Sequence, residues 1–193
     1  MEDTKQIQYK NIYYPPGGIL IWIIIFLELI TFGIALISLA LFSKEDPQLF
    51  HESRLLLNPL FGVINTLFLL TSGYFMAKSL QYVRNGNITK STVFLKLTIL
   101  GGLLFLSLKS FEYYDKINHG LTMGQNTFFN FYWLLTGFHI IHVLVGLVIL
   151  TSVLLGIKKK KKSQLEDFEA SAAFWHMCDL IWLLLFPMLY LIF

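Results

Sequence analysis

The sequence consists of five long apolar stretches joined by short polar connections. The stretches lie at roughly 18–42, 59–80, 92–111, 128–157 and 171–193. Each reaches the about 20 residues that a helix needs to cross a bilayer, where helices satisfy their own backbone hydrogen bonds. The pattern predicts an all-α membrane protein, with one bundle of five transmembrane helices over residues 18–193 and a polar segment over residues 1–17.

The composition supports a membrane protein. Hydrophobic residues make up 55% of the 193 positions and charged residues only 14%, whereas a soluble domain carries about 25% charged residues. Because so much apolar surface cannot be buried in one small core, the composition excludes a soluble domain. The single cysteine, Cys178, excludes an intrachain disulfide and a cysteine-based zinc or iron–sulfur site.

Basic residues are concentrated on alternate connections. The amino-terminal segment and the second and fourth connections hold nine of them, including the lysine run at 158–162, whereas the first and third connections hold three. The positive-inside rule then predicts a cytoplasmic amino terminus and a carboxyl terminus outside. The lysine run is interpreted as a topology signal, and we expect no nucleic-acid partner.

Glu28 lies near the middle of the first stretch, where an ionisable side chain costs about 2.5–3.5 kcal/mol to insert. Thr31, Phe32 and Ala35 share its helical face, so this face is predicted to contact other helices. Two roles stay open from the residues alone. Glu28 is either a proton-relay or lipid-contacting carboxyl, or a protonated carboxyl that donates one interhelical hydrogen bond.

The fourth and fifth stretches each carry polar residues on one helical face. Helical spacing places Thr136, His139 and His142 together in the fourth stretch, and His176 and Asp179 one turn apart in the fifth. A carboxylate so close to an imidazole can fix its tautomer. These side chains are predicted to make polar contacts between the helices.

Polar residues also mark the second and third stretches. Asn65 belongs to a stripe of small and polar residues that suits close helix packing. Lys96 and Lys109 lie near the two ends of the third stretch, where long side chains are predicted to extend to the lipid headgroups. Glu112 is predicted to lie at the membrane–water interface among aromatic residues.

Histidines in a helical bundle suggest metal or haem ligation as an alternative. A di-iron site in such a bundle uses two Glu-x-x-His motifs with further glutamates, and a bis-histidine haem needs facing histidines. The sequence has one His-x-x-His, one His-x-x-Asp and no Glu-x-x-His. No phosphate-binding loop or nucleophile motif is present. We therefore expect no catalytic residue, metal or redox cofactor on this chain.

Two segments combine polar and aromatic residues in an unusual way. The sequence is TGFHIIHVLVG at 136–146 and FWHMCDLIW at 174–182. Together with Glu28, the segment NTLFLLTS at 65–72 and the pair Glu112-Tyr113, they resemble subunit III of the haem-copper oxidases, in its short bacterial form. The resemblance covers residues 18–193. Cys178 and residues 116–124 are more similar to a branch of the family associated with nitric oxide reductase.

The resemblance implies a non-redox accessory subunit of a bacterial haem-copper respiratory oxidase, located as a multi-pass protein in the inner membrane. Such a subunit would dock on the catalytic subunit I, in a complex with subunit II, and would support proton uptake and stability. Its V-shaped cleft would hold phospholipid, whereas haem and copper would lie only in the partner. By position, Glu28 and Glu112 would be carboxyls related to the lipid cleft or to protons. The implied packing residues are Asn65, Thr136, His139, His142, His176 and Asp179.

Three other functions are kept as alternatives. The first is an accessory protein of nitric oxide reductase, and the second is a membrane metalloprotein. The third is a small transporter, although intramembrane charges are few and no pair of broken helices occurs in corresponding halves of the sequence.

Overall fold

The computed structural model describes residues 15–158 and 165–192, which form six α-helices. These are α1 (Ile19–Glu45), α2 (Pro47–Leu55), α3 (Pro59–Arg84), α4 (Ile88–Asn118), α5 (Thr127–Lys158) and α6 (Leu165–Tyr190). All except α2 are long and apolar enough to span a membrane, so the prediction of five spans is confirmed. Residues 1–14 and the lysines at 159–162 lie outside the described residues. The orientation in the membrane therefore stays a prediction.

Short polar side chains define where several helices begin. The side chain of Asp46 accepts a hydrogen bond from the backbone N–H of Leu49 at the start of α2. Asn58 and Asn87 cap α3 and α4 in the same way. This chemistry explains α2, which the apolar pattern did not predict because the helix has only nine residues and is largely polar. Asp46 followed by a proline at the first helical position was the available signal.

Helix α6 lies at the centre of the bundle and packs against α1, α3 and α5, while α4 packs against α3 and α5. Trp175 of α6 is completely buried and its indole donates a hydrogen bond to Ser72 of α3 over 3.1 Å. Its ring lies against Gly102 of α4 and Gly146 of α5, where a Cβ would approach ring atoms to 2.6 and 2.9 Å. Glycine is therefore required at both positions for α6 to reach the centre.

Helices α3 and α4 form the most extensive helix pair of the bundle. Ser72 donates a hydrogen bond to the carbonyl of Thr98, and Ser79 bonds to Ser91 further along the pair. The stripe of small and polar residues predicted for this span is buried at Gly62, Asn65, Ser72 and Gly73. Ser72 of this stripe faces α4, whereas Gly62 and Gly73 lie against Phe186 and Asp179 of α6, so the small residues let α3 approach both helices.

Helix α1 is attached to the bundle along a narrow seam. Its buried residues are Ile25, Phe32 and Leu39, spaced seven apart, and it packs on α5 and α6. Between α1 and α3, α6 exposes a stripe of residues that we call the membrane groove. The exposed apolar residues of this stripe are Leu180, Leu183 and Leu184.

Candidate functional site

The most heavily buried charges form one cluster, which consists of Lys109, Glu112, Tyr132 and Tyr190. The ammonium of Lys109 lies 2.9 Å from Glu112 Oε2, and both side chains have 0% exposure. It also donates hydrogen bonds to the hydroxyls of Tyr132 and Tyr190 over 3.2 and 2.8 Å. The two hydroxyls in turn donate to Glu112 Oε1 over 3.0 and 2.6 Å. The cluster thus joins α4, α5 and α6.

Every proton of this cluster has an acceptor. An ammonium carries three N–H donors and all three are used, while the carboxylate accepts three hydrogen bonds. The ring of Trp182 lies 5.4 Å from Lys109 Nζ and adds a cation–π contact. A buried ion pair needs such complete satisfaction, because two desolvated charges are otherwise destabilising.

The prediction that Lys109 extends to the lipid headgroups is wrong, because its side chain has 0% exposure. The interfacial depth predicted for Glu112 stays a prediction, and its carboxylate lies among aromatic residues, where it accepts from Tyr132 and Tyr190. Both side chains turn into the protein, because each is the other's counter-ion one helical turn away. Tyr132 and Tyr190 supply their remaining hydrogen bonds. Lys96, near the other end of α4, is exposed. Helix α4 continues to Asn118, so Glu112 lies within the helix instead of at its end.

Thr136 lies beside this cluster on α5. Its hydroxyl donates to the carbonyl of Tyr132 and accepts from the hydroxyl of Tyr113 on α4, each over 2.6 Å. The prediction of a polar contact between the fourth and fifth spans is wrong for Thr136, whose interhelical partner is Tyr113 of α4.

Glu28 of α1 meets His142 of α5, with 3.1 Å between Glu28 Oε2 and His142 Nε2. The other ring nitrogen of His142 lies 2.8 Å from the carbonyl oxygen of Phe138, which only accepts, so Nδ1 carries a proton. The two atoms lie at ion-pair distance, but Glu28 Oε2 makes no hydrogen bond among the described residues, so the contact is close without the geometry of a hydrogen bond.

We expect the substitution His142→Leu to lower the free energy of unfolding by about 1–2 kcal/mol, because it leaves Glu28 without its interhelical partner. Unfolding in mixed micelles of increasing dodecyl sulfate content measures this loss. A double-mutant cycle with Glu28→Leu isolates the pair. Additive single losses would contradict a direct interaction.

His139 and Asn65 are buried, but neither has a hydrogen-bond partner among the residues that the structure describes. The imidazole of His139 instead stacks on Trp182, with ring centroids 5.5 Å apart, and meets Phe105 edge-on. His139 thus lies at the interface of α5 with α6, as predicted, and its contacts there are aromatic.

His176 and Asp179 lie together on α6, with 3.4 Å between Nδ1 and Oδ2. The imidazole is 46% exposed towards the membrane groove, whereas the carboxylate is 9% exposed and packs on the backbone of α3. A Cβ at Gly73 would collide with Asp179 Oδ2, so this glycine makes room for the carboxylate. The predicted His–Asp pair is present, and its imidazole faces the groove instead of α5.

A cavity of about 420 Å³ lies in the membrane groove on the side of the membrane where α1 begins, and we call it the inner pocket. Trp22, Ile25 and Leu29 of α1 form one wall, and Leu80 of α3 contributes to the other. Arg84 closes the rim and pairs over 2.8 Å with the buried Glu169 of α6, a contact that the sequence patterns did not predict. The remaining lining residues are Pro16, Ala172, Ala173, His176, Met177 and Leu180.

Over residues 15–158 and 165–192, the structure brings no three His, Cys, Asp or Glu side chains together as a metal-ion site. The polar groups instead form separate pairs and one closed cluster. Two of the pairs, Glu28–His142 and His176–Asp179, keep part of their surface open, whereas the Lys109–Glu112 pair is sealed.

Comparison with known proteins identifies relatives of this chain. The family model for cytochrome c oxidase subunit III matches residues 52–192, which include α3 to α6. Cytochrome c oxidase subunit 3 of Petromyzon marinus is 35% identical over 130 residues, covering 66% of this chain and 49% of that protein. The chain therefore aligns with about half the length of this relative.

Bacterial relatives carry the same name. Cytochrome c oxidase subunit 3 of Corynebacterium diphtheriae is 29% identical over 138 residues, covering 70% of this chain and 67% of that protein. The Synechocystis protein is 32% identical over 132 residues, covering 67% and 55% respectively.

Proposed function

The chain belongs to the cytochrome c oxidase subunit III family, and on this premise we propose that it is a non-redox accessory subunit of a bacterial haem-copper oxidase that reduces oxygen. It docks on the catalytic subunit I, in a complex with subunit II, in the inner membrane. The observation that carries the proposal is the family match, because it spans both helices with the polar motifs, α5 and α6.

The membrane groove supports a role in holding phospholipid. The stripe that α6 exposes between α1 and α3 is apolar over most of its length, and such a surface within the bilayer is covered by acyl chains or by another protein. Arg84 lies at the rim, where a guanidinium can approach a phosphate while it stays paired with Glu169. Phospholipid is thus the proposed structural cofactor of this chain.

The polar pairs support an accessory role next to proton chemistry. Glu28 lies 3.1 Å from His142, and its side chain is 24% exposed within a membrane-spanning helix. Such a pair can take up or release a proton near a partner subunit. Glu112 belongs to the closed cluster, so we assign it to stability and assign the proton-related role to Glu28.

Purification of the native complex through a tag on this chain tests the proposal. We expect a haem-copper subunit I to co-purify in mild detergent, with the optical spectrum of its haems and oxygen consumption in the presence of an electron donor. Reduction of nitric oxide instead of oxygen would favour the nitric oxide reductase alternative. Purification of the chain alone, or haem bound to the isolated chain, would contradict the accessory role.

We expect the Glu28→Gln variant to assemble normally with its partner. The amide has nearly the volume of the carboxyl and can donate to His142 Nε2, so the contact between α1 and α5 is preserved. The variant should retain the native yield of the complex and show altered lipid content or turnover. Glu45→Gln, at the exposed end of the same helix, is the control. Loss of assembly would mean that the charge itself is structural.

A further inference from the structure

The inner pocket has a volume of about 420 Å³, within the range of roughly 300–1,000 Å³ that is typical of small-molecule sites. Its walls are apolar on the α1 side and on most of α6. It belongs to the groove proposed above to hold lipid, so the inference that follows rests on that groove. What it adds is the chemical class of the molecule that the pocket binds.

One polar side chain, His176, faces the pocket from within the hydrocarbon region. It lies seven residues beyond Glu169 on α6, which corresponds to about 10 Å along the helix axis. The acyl chains of a phospholipid offer no hydrogen-bonding group at this depth. Because its imidazole is 46% exposed, it is free to bond to a polar group of a molecule that enters the pocket.

The neighbouring carboxylate decides which kind of partner fits. Nδ1 of His176 faces Asp179 Oδ2 at 3.4 Å, and the carboxylate is buried against Gly73. Asp179 Oδ1 is buried without a hydrogen-bond partner among the described residues, and Oδ2 faces the imidazole, so the imidazole is the group placed to compensate the carboxylate. We take the pair to carry no net charge, either as imidazolium with carboxylate or as neutral imidazole with a protonated carboxyl that donates to Nδ1. Both forms carry a proton on Nε2. The pocket therefore presents an N–H donor and requires an acceptor oxygen.

We propose that the inner pocket binds an isoprenoid quinone, whose ring carbonyl accepts a hydrogen bond from His176 Nε2. Quinones combine carbonyl oxygens with an apolar ring and tail, so they carry an acceptor into the hydrocarbon region without a charged headgroup. The ring lies against Trp22 and Met177, and the tail leaves along the apolar floor of the groove at Leu180. Asp179 is a positioning residue that holds the imidazole. The proposal concerns binding only.

The test compares a short-tailed isoprenoid quinone with the matching arene that has the same tail but no ring oxygens. Full-length chain in nanodiscs of synthetic phosphatidylcholine is equilibrated with either compound, and saturable binding above partition into empty nanodiscs is measured. We expect the quinone to bind roughly three- to tenfold more tightly than the arene, which is the worth of one hydrogen bond.

Variants at position 176 identify the donor. His176→Leu should lower the quinone affinity to that of the arene and leave arene binding unchanged. His176→Gln restores an N–H donor and should therefore recover the quinone affinity. His119→Leu, at an exposed histidine beyond the other end of the bundle, is the control. A photoreactive diazirine on the quinone tail should label peptides of α1 or α6 that line the pocket.

Three results would overturn the proposal: equal affinity for quinone and arene, unchanged quinone affinity in His176→Leu, or labelling outside the inner pocket. Saturable binding of phospholipid in the inner pocket, with no binding of quinone, would also overturn the proposal. It would still agree with a groove that holds lipid. Failure to co-purify with a catalytic subunit would contradict the accessory role instead, and it would not change the outcome in nanodiscs.

Discussion

Replacement of Lys109 by methionine should lower the free energy of unfolding by about 3–5 kcal/mol, because it leaves the carboxylate of Glu112 buried without a counter-ion. Tyr132 and Tyr190 would still donate to Glu112, but the charge itself would be uncompensated. The loss is measured as a shift in the dodecyl sulfate fraction at which the purified chain unfolds. The yield of folded protein from membranes should fall in parallel.

A double variant separates the missing charge from a missing side chain. Lys109→Met with Glu112→Leu removes both charges and should recover most of the lost stability, since apolar side chains of similar volume often replace a buried ion pair without loss. Lys96→Met, at an exposed lysine of the same helix, should change stability by no more than about 0.5 kcal/mol. A double variant as unstable as Lys109→Met would show that the cluster does not act as an ion pair.

The Trp175→Ala variant should lose about 3–5 kcal/mol of stability, because it empties the centre of the bundle. The indole contacts α4 and α5 at two glycines and donates to Ser72 of α3, so its removal leaves a cavity among four helices and takes away the donor to the Ser72 oxygen. The same unfolding titration measures the loss. Partial rescue of the unfolding midpoint by small aromatic molecules would show that the cavity persists.

Two glycine substitutions on different helices provide the matched control for this packing. Gly102→Ala places a methyl group 2.6 Å from the Trp175 ring and should destabilise the bundle, whereas Gly33→Ala meets nothing within 4 Å and should be tolerated. In addition, alanine is favoured over glycine within a helix by roughly 0.5–1 kcal/mol, which acts in the opposite direction. Equal tolerance of both substitutions would contradict the close packing of Trp175 against Gly102.

The five spans could be predicted because an apolar run of sufficient length has few alternatives in a bilayer. The orientation of Lys109 could not, because a lysine near the end of a span can reach the headgroups or turn inward from the same local sequence. Its direction is decided by Tyr132 and Tyr190, which are 23 and 81 residues away. Such partners become neighbours only when the helices pack.

The polar pairs show a similar limit. Glu28 and His142 were each predicted from the cost of placing an ionisable side chain in the membrane, but their contact depends on α1 packing beside α5. His176 and Asp179 could be paired from spacing alone, because both lie on α6. The direction in which His176 faces depends on the groove between α1 and α3. The polar and apolar pattern of α6 alone does not predict this groove.

The central position of α6 has a consequence for biosynthesis. The ribosome releases α1, α3, α4 and α5 before α6, yet two of these helices, α1 and α5, find their main packing surface on α6. The hairpin of α3 and α4 can close early through its serines, but α1 must wait in the membrane until the last of these spans is inserted. During that interval Glu28 can meet His142, and this contact would retain α1 near α5 before the core exists.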